Sequence, residues 1–230
     1  NGKKDRKLLA QRSNNIIVTI DGPAKMGKST VSTIISEKYG LKHVQAGLFY
    51  RIIAWEFNSG SISDFELNSS NYIHTFLNRV RINGSNVFIG KKCISLKLID
   101  TEENALVTAE IAKNEIIQYE VLRHIRSIAA EQPVIADGRN MGTDVFPDAD
   151  LKFYFNGSIE QSVKKWCKEN NHGIDTYNAG VKNLCKRNDA DKSRSINPLR
   201  KPDDAIEVMI DGKSTEQIIE IISNCIDKYI

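Results

Sequence analysis

The sequence predicts a three-layer α/β fold in which helices cover both faces of a parallel five-stranded sheet. Short apolar runs of strand length alternate with longer segments of helical periodicity along the 230-residue chain. The first apolar run, Ile16 to Ile20, leads into a segment with two glycines and then into a helical pattern from Thr30 to Tyr39. This alternation indicates parallel strands, because each helix returns the chain to the same end of the sheet.

The other elements follow from the same periodicities. Gly40 closes the first helix, and Ser158 with Gln161 has the spacing of a capping box that opens another. The remaining predicted strands cover residues 41–44, 134–137, 151–155 and 205–210. The remaining predicted helices cover residues 47–57, 102–113, 114–130, 175–187 and 215–229.

Residues 58–100 differ from this pattern. Ser, Asn and Gly separate short apolar groups, and apolar and polar residues then alternate on either side of Asn83-Gly84. An Asn-Gly pair between two alternating runs is a strong signal for a β-hairpin. Because an antiparallel hairpin inside an α/β pattern indicates a small insertion, we expect one domain over residues 15–230 with an insertion at 58–100. Residues 1–14 are predicted to be a mobile lead segment.

The composition argues against several classes of protein. Hydrophobic residues make up 40% and charged residues 27% of the chain, and the net charge of +3 lacks the basic excess typical of nucleic-acid binding. The four cysteines form no C-x-x-C pair, which argues against a zinc site and a disulfide scaffold. The apolar runs are too short to span a bilayer. We expect a cytoplasmic monomer that binds neither membranes nor nucleic acids.

Residues 22–29 match the pattern G-x-x-x-x-G-K-[ST] between a predicted strand and a predicted helix. In that frame, backbone N–H groups of the loop hold phosphate oxygens at the N-terminus of the helix. Lys28 would reach the β- and γ-phosphates of a nucleoside triphosphate, and the Ser29 hydroxyl would bind Mg²⁺. The alternative is a glycine-rich turn without a ligand. The predicted nucleotide-binding residues are Gly22, Pro23, Ala24, Lys25, Met26, Gly27, Lys28, Ser29 and Thr30.

A carboxylate and four arginines fit this interpretation. Asp137 ends a predicted buried strand, where P-loop proteins orient Mg²⁺ or its water shell; the alternative is that it caps the next turn. The arginines could stabilise the charge that develops during phosphoryl transfer. Taken singly, each fits a solvated surface position, whereas together with the phosphate loop they predict a lid over the site. They are Arg51, Arg139, Arg187 and Arg194.

With these motifs in this order, the chain resembles the bacterial cytidylate kinases, a family of P-loop nucleoside monophosphate kinases. The resemblance runs from residue 16 to the C-terminus, and the stretches that begin D-G-R and F-P-D-A are its most distinctive parts. The matching stretches are I-D-G-P at 20–23 with the loop, A-G-L-F-Y-R at 46–51, A-D-G-R-N-M-G-T at 136–143, F-P-D-A-D-L-K at 146–152 and R-N-D-A-D-K-S-R at 187–194.

The resemblance implies a P-loop kinase fold and ATP-dependent phosphorylation of CMP or dCMP with Mg²⁺. It implies that residues 58–100 are an acceptor-binding insertion and that residues 188–203 are a mobile lid. The implied metal-binding residues are Ser29 and Asp137. The implied catalytic residues are Lys28, Arg187, Asp191 and Arg194.

The resemblance also implies roles on the acceptor side. Tyr50 would lie against the acceptor sugar, and Asp191 with Arg187 would meet the ribose and the transferring phosphoryl group. Three arginines, Arg51, Arg139 and Arg194, would hold the acceptor phosphate. The full set of implied substrate-binding residues is Tyr50, Arg51, Asp137, Arg139, Asn140, Gly142, Thr143, Arg187, Asp191 and Arg194.

The chain departs from the family at the positions that read the base. The family uses a Ser, an Arg and an Asp, which by spacing fall at Ala109, Gln118 and Asn140. Gln118 and Asn140 can still donate to and accept from a pyrimidine, although losing a charge-assisted contact costs roughly 1.5–3 kcal/mol. Lys164-Lys165 stands where the family has arginines, which weakens stacking on adenine. Two alternatives stay open: a related kinase for another acceptor such as UMP, and a non-catalytic nucleotide-binding module.

Overall fold

The strand before the predicted phosphate loop, Ile17–Asp21, lies in the middle of a five-stranded sheet. The structure is a computed structural model that describes residues 15–169, 173–194 and 196–230. The predicted lead segment, residues 1–14, lies outside the described residues. In chain order the strands are β1 (Ile17–Asp21), β2 (Lys42–Gln45), β3 (Val80–Asn83), β4 (Asn86–Ile89), β5 (Lys92–Ser95), β6 (Val134–Asp137), β7 (Leu151–Asn156) and β8 (Ile206–Met209). The helices are α1 (Lys28–Tyr39), α2 (Ala46–Asn58), α3 (Asp64–Leu67), α4 (Ser70–Leu77), α5 (Leu96–Ile99), α6 (Glu102–Ile111), α7 (Glu115–Glu131), α8 (Ile159–Glu169), α9 (Ile174–Lys192) and α10 (Thr215–Tyr229), and Met141–Val145 forms a π-helical turn.

The chain divides into two compact units. Unit 1 comprises Asn1–Val44 and Ala129–Ile230, and unit 2 comprises Gln45–Ile128. The predicted insertion at 58–100 lies inside unit 2, which is wider than that prediction at both ends. The predicted lid, residues 188–203, belongs to unit 1.

The central sheet of unit 1 has the strand order β2-β6-β1-β7-β8. β1 pairs in parallel with β6, with Ile17 opposite Val134, and in parallel with β7, with Val18 opposite Leu151. β7 in turn pairs in parallel with β8. These pairings confirm the predicted α/β class with a parallel five-stranded sheet, and they put β1 between two strands from the C-terminal half of the chain.

One face of this sheet forms the main core of unit 1. Alternate residues of the strands, among them Val18 and Ile20 of β1, pack with side chains of α1 and α10. The strand residues buried in this core are β-branched or aromatic. Such side chains fit the pleated surface of buried parallel strands. The buried members from the strands and the two helices are Val18, Ile20, Ile135, Phe153, Phe155, Val208, Val31, Ile35, Tyr39, Ile218, Ile222 and Ile226.

The other face of β1 carries two polar residues. Thr19 and Asp21 alternate with the apolar residues of the strand and are completely buried. The Asp21 carboxylate accepts hydrogen bonds from the backbone N–H groups of Met141 (2.8 Å) and Gly142 (2.7 Å). The π-helical turn is thereby fixed to the end of the strand that leads into the phosphate loop.

Unit 2 contains a second sheet of three antiparallel strands, β3-β4-β5. Asn83 pairs with Asn86 and Val80 with Ile89, so the predicted hairpin around Asn83-Gly84 is confirmed. The third strand, β5, was not predicted, and neither were the helices α3, α4 and α5. Each of these elements has between four and eight residues, which is too short for hydrophobic periodicity to reveal.

The predicted end of one helix is wrong. We expected the helix that begins near residue 175 to stop at residue 187, whereas α9 continues to Lys192. The extra turn contains Asn188 and Asp191, which are polar but buried, on the same side of the helix as the apolar Leu184. A polar stretch predicts a loop only if its side chains face water, and here the side chains of Asn188 and Asp191 face inward.

Among the described helices, none combines the length and the apolar character that crossing a membrane requires.

Gly22, the first loop residue, is predicted to tolerate no side chain. Its φ is +143°, and a Cβ there would come within 2.4 Å of the Phe155 carbonyl oxygen. Gly27 has φ +76° with nothing within 4 Å of such a Cβ. We expect Gly27→Ala to lower the free energy of unfolding by about 1–2 kcal/mol and Gly22→Ala by roughly 3 kcal/mol or more. Urea unfolding without nucleotide measures both, and equal losses would contradict the close approach.

Candidate functional site

The predicted phosphate loop lies between β1 and α1, in the frame that such a loop requires. Gly22, Lys25 and Gly27 all have positive φ values, of 143°, 61° and 76°. These left-handed conformations turn the backbone repeatedly within six residues, so that successive peptide groups change direction before α1 begins at Lys28. Lys28 is buried, with 5% of its surface exposed.

Three consecutive residues of the loop each make a backbone hydrogen bond to a side chain. The Gly22 carbonyl accepts from Nη1 of Arg139 at 3.2 Å, and the Pro23 carbonyl accepts from Nζ of Lys28 at 2.5 Å. The Ala24 N–H donates to Oδ1 of Asn188 at 3.0 Å. The loop is thus bonded to three side chains from different parts of the chain. They are Lys28 at the start of α1, Arg139 shortly after β6, and Asn188 of α9.

The charge of Lys28 is poorly accommodated in this environment. Burial lowers the pKa of the Lys28 ammonium well below its usual range, and the nearby positive charges of Arg139 and Arg187 lower the pKa further. The carboxylates of Asp137 and Asp21 act in the opposite direction but do not compensate. An anion that binds beside Lys28 would favour the charged ammonium, so the loop is electrostatically suited to a phosphate group.

Asp191 brings two of the predicted phosphate-binding arginines together. One carboxylate oxygen accepts from Nε of Arg139 at 2.7 Å, and the other accepts from Nη2 of Arg194 at 2.5 Å. The Asp191 side chain is buried, whereas Arg139 and Arg194 are partly exposed. Arg187 lies one turn earlier on the exposed side of α9. The guanidinium groups of Arg139 and Arg194 therefore share one anionic partner that holds them in place.

A chain of polar contacts connects the two residues predicted to bind Mg²⁺. Nε2 of His43 lies 2.5 Å from a carboxylate oxygen of Asp137, and Nδ1 of His43 lies 3.2 Å from Oγ1 of Thr33. Thr33 donates its hydroxyl proton to the carbonyl oxygen of Ser29 at 2.9 Å. This arrangement fixes the His43 ring and, through it, the orientation of Asp137.

The D-G-R-N-M-G-T stretch is held by Asp21. Asn140, the residue at the family's base-reading position, is buried directly before the two amides that Asp21 accepts from. Thr143 donates to the Asp144 carboxylate at 2.9 Å. The predicted substrate residues Arg139, Asn140, Gly142 and Thr143 are thus adjacent in a segment whose position depends on Asp21.

Tyr50 and Arg51 lie on α2, in unit 2. Nη1 of Arg51 contacts the Asp100 carboxylate at 2.5 Å, and the carbonyl of Arg51 accepts from the buried Asn104 side chain at 3.0 Å. Arg51 therefore has an aspartate partner, as Arg139 and Arg194 do.

The other two predicted base-reading positions also lie in unit 2 and differ from each other. Ala109 is exposed on α6, whereas Gln118 is buried on α7. Nε2 of Gln118 donates to the carbonyl oxygen of Ala112 at 2.8 Å, so one of its donors already serves the local backbone.

Three residues of the site were not singled out in the sequence. Asp21 could have been found by the same reasoning as Asp137, since it is a carboxylate at the end of a buried strand. His43 carries no such signal, because its role depends on β2 lying beside β6. Asn188 belongs to the R-N-D-A-D-K-S-R stretch, but its inward orientation could not be known while the helix was expected to stop at residue 187.

Asp21 makes stability depend on pH. Burial raises the pKa of its carboxyl from 3.8 to about 6, against the opposing effect of the two backbone hydrogen bonds. Between these values the folded protein keeps a proton that the unfolded chain has lost, so the contribution of Asp21 to the free energy of unfolding falls by about 2 kcal/mol as the pH rises from 4 to 6. Asp21→Asn cannot titrate and lacks this slope. Urea unfolding of both proteins at pH 4, 5, 6 and 7 measures the difference, and a difference independent of pH would contradict the raised pKa.

Comparisons with known proteins identify the family of the chain. A family model described as cytidylate kinase matches residues 18–228. A cytidylate kinase of Ureaplasma urealyticum is 34% identical over 220 residues, which are 93% of this chain and 98% of that protein. A bifunctional pantoate ligase/cytidylate kinase of Prochlorococcus marinus subsp. pastoris is 32% identical over 217 residues. These cover 90% of this chain, which spans only 42% of that longer protein.

A solved structure supports the fold. The crystal structure of an uncharacterised protein from Eubacterium ventriosum covers 93% of this chain and 99% of its own, with a TM-score of 0.52 and 13% sequence identity. At that identity the similarity concerns the fold alone. The family match, by contrast, confirms the resemblance predicted from the motifs: the chain belongs to the cytidylate kinase family.

Proposed function

We propose that the protein is a cytidylate kinase that transfers the γ-phosphoryl group of ATP to CMP or dCMP. Family membership and the named relatives support this activity. The observation that carries the proposal is the convergence of Lys28, Arg139 and Asn188 on three consecutive backbone groups of the phosphate loop. This arrangement assembles cations around a loop suited to the phosphates of a nucleotide.

Residues 22–30 would bind ATP. The backbone N–H groups of the loop and the N-terminus of α1 would hold the β- and γ-phosphates. Lys28, which loses charge stabilisation through burial, would regain it beside these oxygens. It would then stabilise the charge on the transferring group.

Ser29 and Asp137 would hold Mg²⁺ together with phosphate oxygens and water. The described residues contain no group of three or more His, Cys, Asp or Glu side chains placed to bind a metal. Two oxygen ligands, from Ser29 and Asp137, fit Mg²⁺, because proteins commonly bind this ion through one or two groups while phosphates and water supply the rest. When bound, Mg²⁺ neutralises charge on the β- and γ-phosphates. His43 would keep Asp137 oriented toward it.

The acceptor phosphate would bind Arg139 and Arg194 by exchanging with Asp191. An oxygen of the CMP phosphate then attacks the γ-phosphorus of ATP, and the bond from that phosphorus to the β–γ bridging oxygen breaks, which leaves ADP and CDP. No general base is required, because the acceptor phosphate is already a nucleophile at neutral pH. Asp191 and Arg187 would contact the ribose and the transferring group.

The acceptor-side roles of several residues rest on the resemblance. Tyr50 and Arg51 are proposed to contact the acceptor sugar and phosphate, and Asn140, with Gly142 and Thr143, is proposed to face the base. We further propose that residues 58–100 are an acceptor-binding insertion and that residues 188–203 close over the site as a lid that includes the last turn of α9. The proposed state is a cytoplasmic monomer.

The acceptor base is tested by a panel of monophosphates. We expect the highest kcat/KM with CMP or dCMP when ADP release is followed with CMP, dCMP, UMP, dTMP and AMP. Asn140 and Gln118 are neutral and stand where the family has an Asp and an Arg that contact the base, and Gln118 already donates to the Ala112 carbonyl. The kcat/KM for CMP should therefore exceed that for UMP by a modest factor, about 10- to 100-fold. A higher kcat/KM with any other acceptor would favour the UMP-type alternative. ATP binding without transfer to any acceptor would favour a non-catalytic module.

Arg139→Ala should reduce kcat far more than affinity for ATP. We expect a loss of about 100-fold or more in kcat, because a cation that aligns the acceptor and stabilises the transition state is removed. The dissociation constant for ATP, measured by calorimetry, should change by less than about 3-fold. Arg126→Ala, which removes an exposed arginine of α7, serves as the control and should leave both quantities unchanged. Equal losses in kcat and ATP affinity in Arg139→Ala would contradict the acceptor-side role.

A further inference from the structure

Asn188 connects two parts of the site that are 164 residues apart in sequence. Its Oδ1 accepts from the Ala24 N–H at 3.0 Å, and both residues are buried, with 2% and 3% of their surfaces exposed. A buried backbone N–H that loses its partner carries the full cost of its desolvation. The bond therefore fixes α9 to the third residue of the phosphate loop.

An apolar contact supports the same junction. Ala24 packs with Leu184 of α9 and with Val163 and Cys167 of α8. Leu184 lies one turn before Asn188 on the same side of the helix. Together, the apolar contact and the hydrogen bond set the distance between α9 and the loop.

The next turn of α9 carries the charged groups of the acceptor side. Asp191, three residues after Asn188, holds Arg139 and Arg194. Arg187 directly precedes Asn188. Since a helix is stiff over one turn, any shift at Asn188 moves these charged groups relative to the loop.

We propose that Asn188 is a positioning residue that sets the alignment of the acceptor-binding arginines with the phosphate donor. The inference rests on the proposed kinase activity. The loop binds the donor, α9 carries Asp191, which holds Arg139 and Arg194, and Asn188 makes a direct hydrogen bond between α9 and the loop. Displacing reacting groups by about 1 Å can cost roughly 100-fold in rate, so this residue acts on turnover although it need not touch either substrate.

Only the oxygen of the Asn188 amide makes this contact. Nδ2 has no hydrogen-bond partner within the described part of the chain. The proposal therefore requires a side-chain oxygen that accepts the hydrogen bond from the Ala24 N–H, whether that oxygen belongs to an amide or to a carboxylate. Asn188→Asp keeps such an oxygen, whereas Asn188→Leu preserves the approximate size of the side chain and removes it.

The test compares these two variants with a matched control. Asn183→Leu makes the same substitution on the exposed side of α9 and should leave activity unchanged. We expect Asn188→Leu to lower kcat with CMP by about 10- to 100-fold while the dissociation constant for ATP changes by less than about 3-fold. Asn188→Asp should keep kcat within about 5-fold of the unmodified protein. Circular dichroism confirms folding, and Asn188→Ala replaces the leucine variant, with the same expectation, if that variant does not fold.

Three results would overturn the positioning role: an unchanged kcat in Asn188→Leu, equal losses in the Leu and Asp variants, or a loss of ATP affinity as large as the loss of kcat. In each case the unmodified protein still phosphorylates CMP, so the proposed function survives. An unmodified protein that phosphorylates no monophosphate would overturn both proposals together.

Discussion

The structure of the site depends on the backbone of Gly22, Pro23 and Ala24. These residues follow the central strand of the sheet, and their carbonyl and amide groups bind Arg139, Lys28 and Asn188. Backbone groups make suitable anchors because their positions follow from the fold and not from side-chain rotamers. Elements distant in sequence are therefore held to one short stretch of chain before any ligand binds.

Aspartates balance the cations that this arrangement concentrates. Asp191 partners Arg139 and Arg194 in unit 1, and Asp100 partners Arg51 in unit 2. A buried carboxylate between two guanidinium groups compensates its own desolvation through charge-assisted hydrogen bonds. The arginines are thus ordered by protein groups, and an incoming phosphate needs only to replace one anion by another.

The parts of the site that could be predicted are those encoded by local patterns. Lys28 and Ser29 follow from the loop motif in its strand–helix frame, and Asp137 follows from its place at the end of a buried strand. The contact of His43 with Asp137 could not be predicted, because periodicity identifies strands but not their order in the sheet. The end of α9 was missed because Asn188 is a buried polar residue, and a single sequence does not distinguish it from a solvated one.

The position of β1 has a consequence for the order of folding. Its two neighbours are β6 and β7, so Ile17 pairs with Val134 and Val18 with Leu151, and the Ala24 amide finds its partner only at Asn188. Contacts this distant in sequence form slowly, because long loops must close before the contacts stabilise them. On the ribosome, where the N-terminal side of a chain emerges first, the phosphate loop is made before β6, β7 and α9 and acquires these native neighbours late. Until α9 has emerged, the phosphate loop is a turn without its native support.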